Sequence, residues 1–482
     1  MSSPDWMVVA VYTALIFSMG WFLRSRRRSA ADFFLAGRSM GWFPIGISVM
    51  VTMFSAVNYL AFPGEVYGHG LYVIASLPVF FLVAFPITRF WIPFFHRMRL
   101  TSAYEYLEER FDLRVRRLAS GIFVVWRLFW MATALFASGR ILGAVTGMPV
   151  VWIIFAGGVV ATGYTFLGGI RAVMWTDVLQ FFVLFGGIVL GLVYAAGNGG
   201  LGEILAVARQ GGRLKPFLPF DPGFLSLDPT VRITMWSTLI GVSVAFLSRY
   251  GADQVVMQRY FTARNPDAAR KGIWLNAVVS VFSLSLLALT GLALYALAMR
   301  NGNPAQPAAG ALAAMIRSFP KGITGLIAAG LLAATMSSID SGMNACSAAW
   351  ITDLRPRGGA NVLRRGRALT AVLGCVSISI AFMLIPLTAA AGGLFMMVNR
   401  VVNAIGSPLL ALFLLGMFFR RANARGVFYG GIIGFAASIL ISLLVKPLAL
   451  HYYAVLNLLV TLVAGLSLSR LQPYLIRRRR HG

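Results

Sequence analysis

The sequence predicts an all-α polytopic membrane protein with thirteen transmembrane helices. Three observations carry this prediction. Of 482 residues, 59% are hydrophobic and only 12% charged, and mean hydropathy is +0.78. Apolar runs of spanning or near-spanning length recur along the chain, starting near Trp6, Trp42, Leu71, Ala119, Pro149, Thr176, Ile233, Ile273, Gly322, Leu369, Gly393, Gly426 and Tyr453. The basic residues behind the formal charge of +27 fall in short loops between those runs. Such a composition excludes a soluble globular protein, and the charge placement excludes a nucleic-acid partner. Cys346 and Cys375 both lie in apolar segments and imply no disulfide framework. The four histidines are scattered, without metal-ligand spacing.

The loops also set the orientation. With the N-terminus outside, the cytoplasmic loops and tail hold 30 of the 42 Lys and Arg, and the opposite loops hold eight. Arg89, Arg127, Arg140 and Arg400 fall within or at the ends of spans. A multi-pass protein of the cell membrane follows, N-terminus out and C-terminus in. The first run, Val8–Leu23, lacks the basic start and cleavage site of a signal peptide and reads as a retained helix. The last two spans carry almost no polar residues and end in Arg477–Arg480, an anchor to anionic headgroups at the cytoplasmic face.

Taken in order, the second span, Trp42–Phe62, is just long enough to cross the hydrocarbon. Thr52, Ser55, Asn58 and Tyr59 interrupt it, and Pro63–Gly64 with Gly68 and Gly70 are expected to end regular helix. Loose backbone here would line a cavity and free carbonyls for a cation; otherwise these hydroxyls bond their own helix. Ser55, Asn58 and Tyr59 are candidate solute contacts. In the loop after the third span, Ser102 is placed to cap a short helix holding Glu105, Glu108 and Glu109, read as solvated charge. The fourth span carries Arg127 on its inner part and Arg140 near its outer end, the latter read as an interface snorkeller. Arg127 either forms a structural ion pair or contacts an anion, and Arg400 in the eleventh span is equally ambiguous. Asp177 is expected near the start of the sixth span, where it either offsets the helix dipole or reaches toward Asp340. Leu201–Arg209 is weakly amphipathic, and Asp253, Gln254 and Arg259 suit a gate or a plain helix–loop contact.

The ninth span is the most informative. Ser337, Asp340, Ser341 and Asn344 follow the i, i+3, i+4, i+7 rule and share one face. Gly330, Ala333 and Ala334 extend that face with small residues. An Asp at this depth costs about 2.5–3.5 kcal/mol on insertion scales. It must meet a partner, a cavity or a cation. A polar seam between helices is one reading. The clustered hard oxygens are also the donor type a small hard cation needs.

The stretches DFFLAGRSMGWFPIGISVM, GEVYGHGL, TSAYEYLEERF, GYTFLGGIRAVMWTDVLQ, ADQVVMQRYF and GLLAATMSSIDSGMN resemble the sodium/solute symporter family, in that family's order and spacing. The second and third resemble its monocarboxylate, multivitamin and iodide branch. The resemblance implies a five-plus-five inverted repeat across residues 41–420, with repeats at 41–197 and 232–420. Residues 1–40 would form a peripheral first helix and loop, and 421–482 two peripheral helices and the basic tail. Alternating access would follow from one bundle rocking against the other. The resemblance implies a sodium site at the carbonyls of Val51, Phe54 and Ala334 and the hydroxyls of Ser337 and Ser338. A second sodium, known in some relatives, would involve Ser337, Asp340, Ser341 and Asp177. Sodium is then a transported ion rather than a prosthetic group. The expected activity is sodium-coupled import of a small organic solute. The solute is an anion held by Arg127, with Arg400 as the alternative, or else a neutral or zwitterionic solute. One arginine is expected to pair with Glu65. An embedded enzyme or sensor is the competing class. No nucleophile–base pair or metal cluster supports the enzyme, and the segment after Arg470 is too short for a signalling domain.

Overall fold

The computed structural model describes the chain outside residues 24–29, 167–168, 198, 303–306, 355–361, 391–393, 399–401, 446–447 and 481–482. Arg400 lies outside the described residues, so the alternative anion contact has no structural counterpart here. Among the described residues there is no β-sheet, only two isolated bridges, Met40 with Ala263 and Phe217 with Phe220.

Nine helices are long and apolar enough to cross a membrane, and a bent pair makes a tenth if counted as one span. The thirteen expected spans are therefore nine or ten by this measure among the described residues. The fifth and eleventh apolar runs form shorter helices, Val150–Thr165 and Ile405–Phe418. The seventh is segmented: Met235–Ser237, a π-helical turn at Thr238–Val242, then Ser243–Gly251.

The elements that build the site are α1 (Ser3–Phe22), α2 (Trp42–Met53), α3 (Ala56–His69), α4 (Leu113–Thr146), α5 (Val150–Thr165) and α6 (Ile170–Gly197). Beyond them come α7 (Ser243–Gly251), α8 (Gln254–Thr262), α9 (Pro266–Arg300), α10 (Ile323–Ala349) and α11 (Tyr452–Arg480). The central helix is α10: nearly every residue from Ile327 to Ala349 is buried. It packs against α6, α4, α1, α5 and α2. Small residues let the backbones close in. A Cβ on Gly46 of α2 would lie 2.7 Å from the Gly272 carbonyl of α9. One on Gly291 of α9 would lie 2.7 Å from the Pro63 carbonyl of α3.

The N-terminus of α10 has no cap of its own, since Gly322 (φ 93°) offers no side chain. Asp5 of α1 supplies one from outside. Its Oδ1 accepts the backbone N–H groups of Gly322 (2.7 Å) and Gly325 (3.0 Å). A buried helix start is thereby satisfied, and a negative charge sits at the positive end of the dipole.

Pro63–Gly64 do not end α3. The helix carries Pro63 internally and runs on to His69, where Gly70 (φ 88°) stops it. The weakly amphipathic external stretch forms a helix, Gly200–Gln210. The Ser102 hydroxyl accepts the Tyr104 N–H (3.2 Å) and Glu105 accepts the Ser102 N–H (3.1 Å) at the start of the short helix, and the same hydroxyl donates to buried Asp353 (2.7 Å). Asp353 also accepts Arg116 Nη2 (2.6 Å) and Nε (2.9 Å), which ties the loop after the third span to the end of the ninth. The acids Glu105 and Glu108 reach the same arginine, so part of that loop is an ion-pair network rather than solvated charge. Burial raises the Glu105 carboxyl above the ordinary glutamate range.

Candidate functional site

The site starts where the second span breaks. Its two halves meet at 62°. No Gly or Pro causes this. Phe54 leaves helical geometry (φ −99°, ψ 88°), and Ser55 restarts the chain as an N-cap, its hydroxyl accepting the Val57 N–H at 3.1 Å. At the end of α2 the Val51 carbonyl keeps the Phe54 N–H (3.2 Å), and the last carbonyls also meet α10. Ser337 donates to the Val51 carbonyl (3.2 Å) and to Ala334 (3.1 Å), and Ser338 donates to the Thr52 carbonyl (3.3 Å). Val51, Ala334, Ser337 and Ser338 are thus brought together. The second carbonyl facing these hydroxyls is that of Thr52; Phe54 is the C-cap two residues on. These are long, weak hydrogen bonds between groups with lone pairs to spare. Among the described residues, no guanidinium or ammonium hydrogen-bonds to them. The donor set is all hard oxygen, buried and uncharged, which fits a monovalent hard cation.

One turn further along α10 the chemistry changes. Asp177 is not at the start of its helix: α6 begins at Ile170, two turns earlier, so the dipole reading is set aside. Asp177 Oδ2 instead accepts Ser48 (2.5 Å), Thr52 (3.5 Å) and Arg259 Nη2 (3.1 Å). Arg259 is fully buried. Its guanidinium also donates to the hydroxyls of Ser48 (2.6 Å), Thr52 (2.7 Å) and Ser341 (2.6 Å) and to the Val255 carbonyl (2.7 Å). Asp340 takes the Tyr164 hydroxyl (2.5 Å) on one oxygen and the Ser341 N–H (2.5 Å) on the other. The acids expected to share a second sodium therefore have separate partners, and a guanidinium lies among the oxygens of Asp177 and Ser341.

On the other side of the α2–α3 break lies a cavity of about 120 Å³. Its wall is mainly apolar: Met50, Met53, Phe54, Val57, Phe62, Phe80 and Trp130. Asn58, Ser76, Arg249, Tyr250, Ser280 and His451 supply polar groups. The Arg249 guanidinium stacks on the Trp130 ring at 4.9 Å, a cation–π contact that fixes its orientation. Of the expected solute contacts among the described residues, only Asn58 lines this cavity. Ser55 is buried as the cap of α3, and Tyr59 is buried in the packing around it.

Arg127 corrects the sequence reading. Its Nε donates to Asp253 Oδ1 (3.1 Å) and its Nη2 to Oδ2, both residues being buried. Asp253 also caps α8 by accepting the Val255 N–H (2.9 Å). The fork meant for a solute is spent on a protein carboxylate, and Arg127 does not line the cavity. Glu65 does not pair with Arg127. It is bidentate with Arg232, with His69 alongside at 3.5 Å. Arg140 is exposed, as a snorkelling residue should be.

Sequence reasoning missed Arg249 and His451 and left Arg259 undecided. Arg249 and Arg259 were counted among five basic residues of a cytoplasmic loop, yet one lines the cavity and the other is buried. Both sit on short amphipathic helices, Arg249 on α7 and Arg259 on α8.

Comparisons with known proteins agree with this architecture. The family described as "Sodium:solute symporter family" matches residues 33–434. The sodium/sialic acid symporter NanT of Aliivibrio fischeri is 31% identical, covering 96% of this chain and 92% of that protein. The sodium-dependent multivitamin transporter of Oryctolagus cuniculus is 32% identical, covering 90% and 69%. The human sodium-coupled monocarboxylate transporter 1 is 31% identical, covering 87% and 69%. A solved sodium-coupled sialic acid symporter, substrate-bound and outward-open, superposes with a TM-score of 0.87 at 26% identity over 98% of both chains. The chain belongs to the sodium:solute symporter family: it is a multi-pass membrane carrier rather than an enzyme, and sodium is the ion it co-transports.

Proposed function

We propose that the protein imports a small carboxylate with an apolar body, driven by sodium bound at the α2–α10 oxygens. One observation carries this reading. The cavity places a guanidinium, Arg249, among apolar and aromatic walls, and those walls belong to the same helix end that offers carbonyls to Ser337 and Ser338. A guanidinium in such surroundings favours an anion over a neutral solute. The apolar lining rewards an aliphatic or aromatic remainder rather than a polyol.

Coupling follows from shared parts. A sodium bridging Val51, Ala334, Ser337 and Ser338 would hold the end of α2 against α10. Met50, Met53 and Phe54 on that end form the solute wall. Ordering one site orders the other, so each ligand raises affinity for its partner. Residues 41–420 are the moving core in this reading, with 1–40 and 421–482 peripheral. The loops rich in Lys and Arg lie on the cytoplasmic side, toward anionic headgroups.

The test is uptake into proteoliposomes of a panel of carboxylates and their amides of equal shape, under an inward sodium or potassium gradient. Sodium-dependent uptake of carboxylates only, abolished in Arg249→Ala, is expected. Equal uptake of an amide by wild type and Arg249→Ala would replace this reading with carriage of a neutral or zwitterionic solute.

A further inference from the structure

The family resemblance implies a second sodium among Ser337, Asp340, Ser341 and Asp177. The residues present do not fit it. We infer that Arg259 is a built-in cation standing in the place of that ion, so that this chain binds a single sodium. The inference rests on the symport reading above.

The Nη2 atom of Arg259 lies 3.1 Å from Asp177 Oδ2, 2.7 Å from Thr52 Oγ1 and 2.6 Å from Ser341 Oγ. Three helices, α2, α6 and α10, thus converge their oxygens on one nitrogen. A cation needs the lone pairs those oxygens give to the guanidinium. It would also sit within a few ångströms of a like charge, in surroundings too dry to screen it. Asp340 is turned to other partners, its two oxygens accepting the Tyr164 hydroxyl and the Ser341 N–H. The arginine is held firmly: it is 0% exposed, and its Nε and Nη1 donate to Ser48 and to its own helix at Val255.

A second, independent observation shows what the guanidinium withholds. Among the described residues, Asp177 Oδ1 is buried and has no hydrogen-bond partner. With Arg259 removed, both oxygens of Asp177 and the hydroxyls of Ser48, Thr52 and Ser341 would surround a space of guanidinium size. That is a set of hard donors with one negative charge, suited to sodium. Arg259 therefore sets the ion stoichiometry by occupation rather than by contact with solute.

The test counts radiolabelled sodium bound at saturation to the purified full chain in nanodiscs, at constant ionic strength with choline. Wild type should bind one sodium per chain. Arg259→Gln should bind two, and Arg259→Gln with Asp177→Asn should return to one. Arg259→Lys keeps the charge and should stay at one. Two sodium ions in wild type overturn the inference without any variant, which covers the case of a variant that fails to fold. A folded Arg259→Gln protein binding only one also overturns it. No sodium binding by folded wild type would instead overturn the symport reading itself.

Discussion

Two oxygen clusters lie one helical turn apart on α10, and they differ in one respect. Around Ser337 and Ser338 the oxygens are uncharged, and the two hydroxyls donate to the carbonyls of Val51, Thr52 and Ala334. Around Ser341 the oxygens include a carboxylate, Asp177, and a protein guanidinium fills the centre. In the proposed reading the first cluster exchanges a cation with solution. The second already holds a permanent one. Oxygen donors alone therefore do not identify a transport site; what matters is whether the chain supplies the positive charge itself.

The comparison breaks first where a built-in cation is removed. Arg127→Ala leaves Asp253 buried without its partner. We expect a loss of about 3–5 kcal/mol in unfolding free energy, because an uncompensated buried charge costs that much. The double variant Arg127→Ala with Asp253→Ala should recover most of it. Denaturant unfolding in mixed micelles measures both. If Arg127→Ala unfolded like wild type, the pairing would not be structural.

The next effect concerns the cavity cation. Arg249→Lys keeps charge but loses the planar fork and its stacking on Trp130. Half-saturation for a transported carboxylate should rise about tenfold, which corresponds to roughly 1.4 kcal/mol. Sodium-dependent stabilisation should be unaffected. Unchanged uptake kinetics would remove Arg249 from the solute site.

The smallest effect is expected at Arg140, which is exposed at the far end of α4. Arg140→Gln should shift unfolding free energy by no more than about 0.5 kcal/mol and leave uptake intact. A large loss there would mean that the division between built-in cations and solvated ones is drawn in the wrong place.

Much of this was legible in the chain. Apolar runs marked the helices, because a span must satisfy its own backbone and exclude charge. The spacing of Ser337, Asp340, Ser341 and Asn344 marked the polar face of α10, because helical periodicity is local. Partners distant in sequence were not legible. Arg127 and Asp253 are 126 positions apart, and nothing in either segment names the other. The residues alone left a broken span and a regular helix equally open, because the break at Phe54 carries an N-cap serine, Ser55, rather than a glycine or proline. Arg249 and Arg259 misled for a related reason. Counting charges along a chain treats a short basic stretch as a solvated loop, and only packing reveals that α7 and α8 carry those side chains inward.

The central claim is that sodium binds at the uncharged cluster. The most direct measurement is thermal unfolding of the purified chain in detergent, titrated with sodium chloride against potassium chloride. Wild type should be stabilised by sodium and not by potassium, with the midpoint rising as sodium exceeds its dissociation constant. The Ser337→Ala, Ser338→Ala double variant should fold yet lose that sodium-specific rise. A double variant stabilised by sodium as strongly as wild type would contradict the assignment.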